Sequence, residues 1–266
     1  MTLFQAIVLG IVQGLTEFLP VSSSAHLTLA PWLMRWQDPG LAFDVALHLG
    51  TLIALVWFFW QEWITLAKAF FGIVKKRRIE TESERRFVWV VIATIPGGLA
   101  GYLLQDYAKN VFRSPMLIGA MLIVMGVILW AIDRAATQER GLETMRWTDA
   151  VVIGLAQMFA IVPGVSRSGS TITAGRALRF SREAAAVFSF LMSLPIITAA
   201  VLFEGRHAIQ GGVSAPLIAG VVASAVSGWL AIAVLLKFVA RHSYGVFALY
   251  RVVVGAAVVA LAAYRG

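Results

Sequence analysis

The sequence predicts an all-α polytopic membrane protein, with six transmembrane helices and two re-entrant broken-helix hairpins arranged as an inverted-topology repeat. Of its 266 residues, 59% are hydrophobic and 14% are charged, whereas soluble domains carry about 25% charged residues. The mean hydropathy is +0.82. The apolar runs are continuous rather than alternating, which argues against a water-filled β-barrel. Two of these runs are interrupted midway by Pro, Gly and Ser.

Six apolar segments are long enough to cross ~30 Å of hydrocarbon as helices. These segments are 41–61, 87–105, 115–132, 184–203, 215–236 and 244–264. Two further stretches, 3–33 and 148–178, are broken midway, so each is expected to enter and leave the membrane on the same side. The N-terminal stretch has neither a basic region nor a cleavage site, and we expect it to belong to the mature fold.

Basic residues predict the orientation, because Lys and Arg are retained on the cytoplasmic side. If the basic loop 73–86 is inside, thirteen Lys and Arg residues lie inside and five outside, provided that both broken stretches are re-entrant. The first stretch then dips from outside, the second dips from inside, and both termini are external. The five outer residues are Arg35, Lys109, Arg113, Arg206 and Arg265.

The net charge of +8 therefore reflects topology. No nucleic-acid partner is expected, because the basic residues are not interleaved with aromatic residues on a polar face. The absence of Cys excludes disulfides, thiolate metal sites and cysteine nucleophiles.

The two broken stretches align as an internal repeat. Gln13 aligns with Gln157 and Ser22 with Ser166, both at an offset of 144, and the prolines align after a one-residue slip. Repeats that enter from opposite sides bring their broken helices together near the midplane and build a binding site there. The predicted organisation is one membrane domain, 1–266, with repeat one at about 1–133, repeat two at about 148–266 and a cytoplasmic basic loop at 73–86.

Hydroxyl groups cluster at both breaks, where a second half-helix begins. A helix N-terminus offers unpaired N–H groups and a partial positive charge, which suit a phosphate. Any single serine is better explained as an N-cap, but two facing clusters predict a phosphate site. The predicted substrate-binding residues are Ser22, Ser24, Ser166, Ser168, Gly169 and Thr171.

Ionisable groups within the apolar stretches predict catalysis, because they are costly to bury there. Arg167 would present a bidentate fork to phosphate. Glu17 and Gln13, one turn apart, could hold Mg²⁺ or Ca²⁺ beside phosphate oxygens, although Glu17 could instead be a structural partner of Arg167. The nucleophile is His26, Ser23 or a metal-activated water. We expect His26, since imidazole needs no separate base near neutral pH.

Three other ionisable residues, Asp44, His48 and Arg251, are expected to lie behind the groups that touch phosphate. The whole set is typical of phosphoryl transfer, and its depth in the membrane predicts a substrate with a lipid tail. The alternative is a polyprenyl-phosphate flippase or transporter, because broken helices in inverted repeats are also transporter architecture. An ion channel is disfavoured, since the remaining spans are too apolar to line a polar path.

The motifs QGLTEFLPVSSSAH (13–26) and PGVSRSGSTIT (163–173) resemble the two signatures of the bacterial undecaprenyl-diphosphate phosphatases of the bacitracin-resistance type. FDVALHLGTL and FSFLMSLP follow them in matching order, so the resemblance covers the whole chain. It implies hydrolysis of undecaprenyl diphosphate to undecaprenyl phosphate and inorganic phosphate, which recycles the lipid carrier for peptidoglycan. By position, the family's functional residues match Glu17, Ser23, His26 and Arg167.

The resemblance also implies a divalent cation, a homodimer, and a place in the bacterial inner membrane with the active site facing the periplasm. One position departs from the acidic form of the family's motif (E/Q)xxxE. Its first position is Gln13 here, and a neutral amide weakens the case for a metal site with two carboxylates.

Overall fold

A computed structural model describes residues 1–104, 112–210 and 213–265, with the backbone alone for 204–210. This part of the chain is built from α-helices joined by short turns. The helices are α1 (Leu3–Phe18), α2 (Ser23–Met34), α3 (Leu41–Phe58), α4 (Trp60–Lys76), α5 (Glu82–Leu103), α6 (Pro115–Ala135), α7 (Trp147–Met158), α8 (Arg167–Ala177), α9 (Arg182–Gln210), α10 (Ala215–Val239) and α11 (Gly245–Arg265).

Six helices of the described chain, α3, α5, α6, α9, α10 and α11, are long and apolar enough to cross a membrane. The predicted all-α polytopic membrane fold with six transmembrane helices is confirmed. Helix ends differ from the prediction by a few residues, because polar end turns are helical too. α5, for example, begins earlier, since Thr81 caps it through a capping box with Glu84. Residue 105, Lys109 and the side chain of Arg206 lie outside the described residues.

The first span ends earlier than predicted, and a separate helix, α4, follows it directly. Near the start of α4, Glu62 pairs with Arg86 of α5 (Nη1–Oε2 3.1 Å). At its end, Lys76 pairs with Glu84 of α5 (Nζ–Oε1 2.8 Å). Both ends of α4 reach the first turns of α5, so α4 crosses α5. This corrects the predicted basic loop 73–86, which is the end of α4, a short turn and the start of α5.

Each broken stretch folds back on itself as a helical hairpin. In hairpin 1, formed by α1 and α2, the rings of Phe4 and Trp36 meet edge to face with centroids 6.3 Å apart. In hairpin 2, formed by α7 and α8, Arg140 donates both to Asp149 at the start of α7 and to the Leu178 carbonyl after α8. The two ends of each broken stretch therefore lie side by side, as the prediction of re-entrant hairpins requires.

The hairpins open toward opposite ends of the molecule, and α6 runs between those ends. Just before α6, Arg113 pairs with Asp38 beyond hairpin 1 (Nη2–Oδ2 2.9 Å). Near the end of α6, Asp133 pairs with Arg176 of hairpin 2 (Nε–Oδ1 2.8 Å). A helix rises 1.5 Å per residue, so the two openings lie roughly 30 Å apart. The inverted arrangement follows from these contacts.

Both ends of the described chain, at the start of α1 and the end of α11, lie where hairpin 1 opens. The guanidinium of Arg265 stands over the Trp32 ring, 4.7 Å from its centroid.

Hairpin 1 packs tightly against α10, because Gly10 faces the backbone carbonyl of Gly220 so closely that a Cβ on Gly10 would overlap it. Small residues at such contacts let membrane helices approach closely. This packing holds hairpin 1 within the bundle of spans.

Candidate active site

The tips of the two hairpins meet inside the helix bundle. The Gly164 N–H donates to Ser22 Oγ across 3.1 Å. In the other direction, Ser168 Oγ donates to the Leu19 carbonyl across 3.0 Å. The two breaks are therefore bonded directly to each other, as the inverted repeat predicts.

The serines at the two breaks share an unusual backbone conformation. Ser22 has φ 77° and Ser166 has φ 74°, in the left-handed region that costs a non-glycine residue about 1–2 kcal/mol. Each is also an N-cap: Ser22 Oγ accepts from the Ala25 N–H and Ser166 Oγ from the Gly169 N–H. These two serines thus begin the second half-helices, so the capping explanation holds for them.

Glu17 is the centre of the polar cluster, although its side chain is only 7% exposed. Arg167 Nη2 donates to Glu17 Oε1 across 2.7 Å. Ser23 Oγ donates to Glu17 Oε2 across 2.5 Å, and Gln13 Nε2 donates to the same oxygen across 3.1 Å. One carboxylate therefore gathers residues from both breaks, and the structural pairing of Glu17 with Arg167 is present as well.

His48 belongs to this cluster, although it was expected to lie behind the phosphate-contacting groups. Its Nδ1 donates to the Asp44 carbonyl across 2.8 Å, because a carbonyl can only accept. Its Nε2 then faces Glu17 Oε2 at 3.5 Å. No pattern in the sequence indicates this contact, since it depends on how α3 packs beside α1.

His26, the expected nucleophile, lies apart from the Glu17 carboxylate. Its Nδ1 donates to the Ser22 carbonyl across 2.8 Å. Its Nε2 therefore accepts from the hydroxyl of Tyr250, also across 2.8 Å, and the two rings are nearly parallel with an angle of 12°. Both ring nitrogens of His26 are engaged in hydrogen bonds. The partner Tyr250 was not anticipated, because it lies 224 residues away in the sequence.

Arg251 joins the two breaks and is fully buried. Its Nη1 donates to the Pro20 carbonyl across 2.9 Å. Its Nη2 donates to the Gly164 and Val165 carbonyls across 2.7 and 2.9 Å. One guanidinium thus holds carbonyls of both hairpins, which agrees with the expected position behind the phosphate-contacting groups.

A cavity of about 230 Å³ lies in front of the Glu17 cluster. Its polar residues come from both hairpins and from α3. They are Glu17, Ser22, Ser23, Ser24, His48, Gln157, Ser166 and Arg167. Most of the predicted site residues therefore share one cavity, and His26 is not among the described residues that line it.

Three predicted substrate-binding residues of α8 do not line the cavity, because their polar groups are used in the scaffold. Ser168 bonds to hairpin 1, and the N–H of Gly169 is taken by the capping serine. The Thr171 and Ser189 hydroxyls bond to each other across 2.7 Å. These hydrogen bonds place the three residues in the scaffold beside the cavity, and their contact with substrate stays a prediction.

The predicted metal ligands, Gln13 and Glu17, lie one turn apart on α1 and are in contact. Gln13 Oε1 is buried and has no hydrogen-bond partner among the described residues, and Gln13 itself is not among those that line the cavity. Within the described ranges, no group of three His, Asp or Glu residues could enclose a metal. A cation shared with substrate phosphates, which is the usual mode for Mg²⁺, would therefore have Glu17 as its ligand at the cavity and Gln13 as a ligand behind it.

Fold and cavity define a class: a polytopic membrane protein whose two inverted hairpins bring hydroxyl, carboxylate and guanidinium groups together for phosphoryl transfer. Residues 6–257 match the family model described as bacitracin resistance protein BacA. The chain belongs to this family, and the resemblance drawn from its motifs is confirmed.

Several relatives similar over their full length carry the name undecaprenyl-diphosphatase. The protein from Gemmatimonas aurantiaca is 57% identical over 266 residues, with 100% of each chain covered. The protein from Pelotomaculum thermopropionicum is 54% identical over 265 residues, which cover 100% of this chain and 98% of the relative. The protein from Desulforudis audaxviator is 49% identical over 263 residues, with 99% of each chain covered.

Proposed function

We propose that this protein hydrolyses undecaprenyl diphosphate to undecaprenyl phosphate and inorganic phosphate, and so recycles the lipid carrier for peptidoglycan synthesis. The names of its full-length relatives support this proposal. The observation that carries it is the hydrogen-bonded set of Ser23, Glu17 and Arg167 at the cavity. A flippase would need the phosphate-binding groups without a hydroxyl held against a carboxylate.

Ser23 is the candidate nucleophile. Because its hydroxyl already donates to Glu17 Oε2, the carboxylate can accept the proton as Ser23 Oγ attacks the terminal phosphorus. The Oγ–P bond forms while the bridging P–O bond breaks, and the electron pair leaves with undecaprenyl phosphate. Water then attacks the phosphoserine: Glu17 returns its proton to Ser23 Oγ and takes one from the water. Hydrolysis releases one proton in total to solvent.

Arg167 and the helix ends bind the phosphates. Arg167 would stabilise the charge that grows on the leaving phosphate, because its guanidinium is held in place before the reaction by Glu17 and by the Ser189 carbonyl. The first two N–H groups of α2 and of α8 add donors, since the hydroxyl of each capping serine accepts from the third N–H group of its helix, that of Ala25 or Gly169. A divalent cation held by Glu17 and Gln13 with the phosphate oxygens would neutralise the charge of the diphosphate.

The choice of Ser23 over His26 rests on position. Ser23 lines the cavity and touches the carboxylate, whereas both nitrogens of His26 bond to the Ser22 carbonyl and to Tyr250. Which residue attacks stays a prediction. We expect Ser23→Ala to be inactive and His26→Ala to retain measurable activity.

The test is phosphate release from farnesyl diphosphate and Mg²⁺ by the detergent-purified protein, combined with rapid-quench trapping. Attack by Ser23 leaves an acid-stable phosphoester, attack by His26 leaves an acid-labile phosphohistidine, and direct attack by water leaves neither. An acid-labile phosphoenzyme, together with an active Ser23→Ala variant, would transfer the role to His26. A wild-type protein that releases no phosphate contradicts the enzyme and favours the flippase.

We also propose that the protein lies in the bacterial inner membrane, with its cavity on the periplasmic side. α9 begins beside Asp133, where Arg182 Nε pairs with Oδ1 across 2.9 Å, at the end that the positive-inside rule assigns to the cytoplasm. Ala200, which lines the cavity, lies 18 residues further along α9, roughly 27 Å away. A homodimer also stays a prediction, which the mass of the purified protein in detergent tests.

A further inference from the structure

The cavity has an apolar end that the reaction scheme does not use. Two candidate spans, α5 and α9, supply small or aliphatic residues to it. These residues are Gly97, Ala100 and Gly101 of α5 and Ile196, Ile197 and Ala200 of α9. The three residues of α5 are spaced i, i+3 and i+4, so they share one helix face. We call this face the α5 wall.

The α5 wall widens along its length. At Gly97, an added Cβ would collide with the amide of Gln157, so the cavity is narrow there. At Gly101, one turn later, no heavy atom of the described residues outside the adjoining backbone of α5 lies within 4 Å of the position that a Cβ would take. Gly101 is also exposed, so within the described chain it borders open space.

The surface beyond Gly101 is apolar. Tyr102 and Leu103 follow it on α5, and Leu202 and Phe203 lie at the corresponding end of the α9 span. Their side chains are between 68% and 72% exposed. Exposed apolar side chains on spanning helices face lipid chains. Within the described chain, open space thus leads from the polar cluster along the α5 wall toward the exposed apolar ends of α5 and of the α9 span.

We propose that the α5 wall holds the first isoprene units of the substrate tail, and that Gly101 determines how bulky a tail the enzyme accepts. This inference rests on the proposed function, because the occupant is the tail of the same diphosphate that Arg167 binds. An undecaprenyl tail is far larger than a cavity of about 230 Å³. The rest of the tail therefore leaves past Gly101 into the lipid, and contacts along the wall raise kcat/KM.

The test replaces Gly101 by Leu, which fills the open space and leaves the polar cluster unchanged. We compare kcat/KM for farnesyl diphosphate with kcat/KM for isopentenyl diphosphate, whose single isoprene unit ends near the headgroup. Gly101→Leu is expected to lower the farnesyl-to-isopentenyl ratio about tenfold, the scale of losing contacts to a few methylene groups. Ala200→Leu, from the facing helix, is expected to lower the ratio in the same direction.

Gly98→Leu is the matched control. Gly98 is an exposed glycine of the same helix that does not line the cavity, and an added Cβ would have only Ile196 Cδ1 nearby, at 3.9 Å. It is expected to leave the ratio unchanged. The inference would be overturned if Gly101→Leu and Ala200→Leu both left the farnesyl-to-isopentenyl ratio unchanged. This includes the case in which each variant lowers kcat/KM equally for the two substrates. A wild-type protein inactive on farnesyl diphosphate would overturn the proposed function instead.

Discussion

The tips of hairpins 1 and 2 have similar backbone conformations but carry different reactive side chains. Ser22 and Ser166 cap their half-helices at φ 77° and 74°. Gln13 and Gln157, also at equivalent positions, each keep a buried amide oxygen without a hydrogen-bond partner. The residues that shape the backbone are therefore equivalent at the two breaks.

The reactive groups are not duplicated. At the offset of 144, Glu17 of hairpin 1 corresponds to Ile161 of hairpin 2, and Ser23 corresponds to Arg167. One tip thus supplies the hydroxyl and the carboxylate, and the other supplies the guanidinium. An inverted repeat can in this way support a single asymmetric site, because the backbone geometry is symmetric while the side chains are free to differ.

The second difference is the position of the proline. Two residues separate the proline from the capping serine in hairpin 2 and one in hairpin 1, although the distance from glutamine to serine along the chain is the same in both, and this shift is the slip in the alignment. The residue after that proline is Gly164, at φ 97°. A Cβ there would lie 2.6 Å from the Ile118 carbonyl oxygen. Glycine is needed for both reasons.

The largest expected effect is on the labelling of introduced cysteines, which tests whether the two hairpins enter the membrane from opposite sides. A cysteine is either labelled or not, so the difference should be complete. Cysteines introduced at Gln37, beside the opening of hairpin 1, and at Glu143, beside that of hairpin 2, are both exposed, and the native chain has no Cys. In intact cells, an impermeant maleimide should label Gln37→Cys and not Glu143→Cys. Glu82→Cys should also stay unlabelled. Labelling of all three only after lysis, or of Glu143→Cys in intact cells, would contradict the orientation.

The next effect tests the asymmetry of the tips. Glu17→Gln keeps the shape of the side chain but removes the charge that accepts the Ser23 proton. Phosphate release is expected to fall about 10³-fold, within the range for loss of a general base. Ser193→Ala is the control, because Ser193 is buried in α9 and, among the described residues, its hydroxyl bonds to the Phe190 carbonyl of the same helix. Full activity of Glu17→Gln would remove this carboxylate from the mechanism.

Loss of the guanidinium that hairpin 2 supplies should lower activity less than loss of the Glu17 carboxylate. Arg167→Ala is expected to lower turnover by at least ~100-fold, the scale of losing a preorganised donor. Arg167→Lys keeps the charge but loses the planar fork, so its rate should lie between those of the wild type and the alanine variant. Steady-state assays with farnesyl diphosphate measure both. A wild-type rate in Arg167→Ala would exclude this residue from the site.

The smallest expected effect is on stability and concerns Gly164, the residue that follows the proline of hairpin 2. Gly164→Ala should destabilise the protein by about 1–3 kcal/mol, because it forces a Cβ against Ile118 at a positive φ. The measurement is the denaturation midpoint in detergent. Gly98→Ala, at an exposed helical glycine, should instead be neutral or slightly stabilising. Equal midpoints for the two variants would show that Gly164 is not needed for the tip.

Much of the fold could be predicted from the sequence, because it depends on local properties. The length of each apolar run predicts a span, and the prolines and serines predict the breaks and their alignment. The prediction missed α4, because it ended the first span at 61, assigned no element to 62–72 and gave 73–86 as a loop, while α4 is too polar to be recognised as a span. Ser23, Glu17 and Arg167 were named correctly as neighbours, because both breaks had to meet near the midplane.

The sequence by itself determined the class of fold, the two breaks and the residue types available for phosphoryl transfer, since hydrophobic length and helix-breaking residues act locally. Only the tertiary structure decided which groups touch. It brought His48 to Glu17 and turned His26 toward Tyr250. These contacts depend on the lateral packing and rotation of helices far apart in the chain, which the spacing of residues along one helix does not encode.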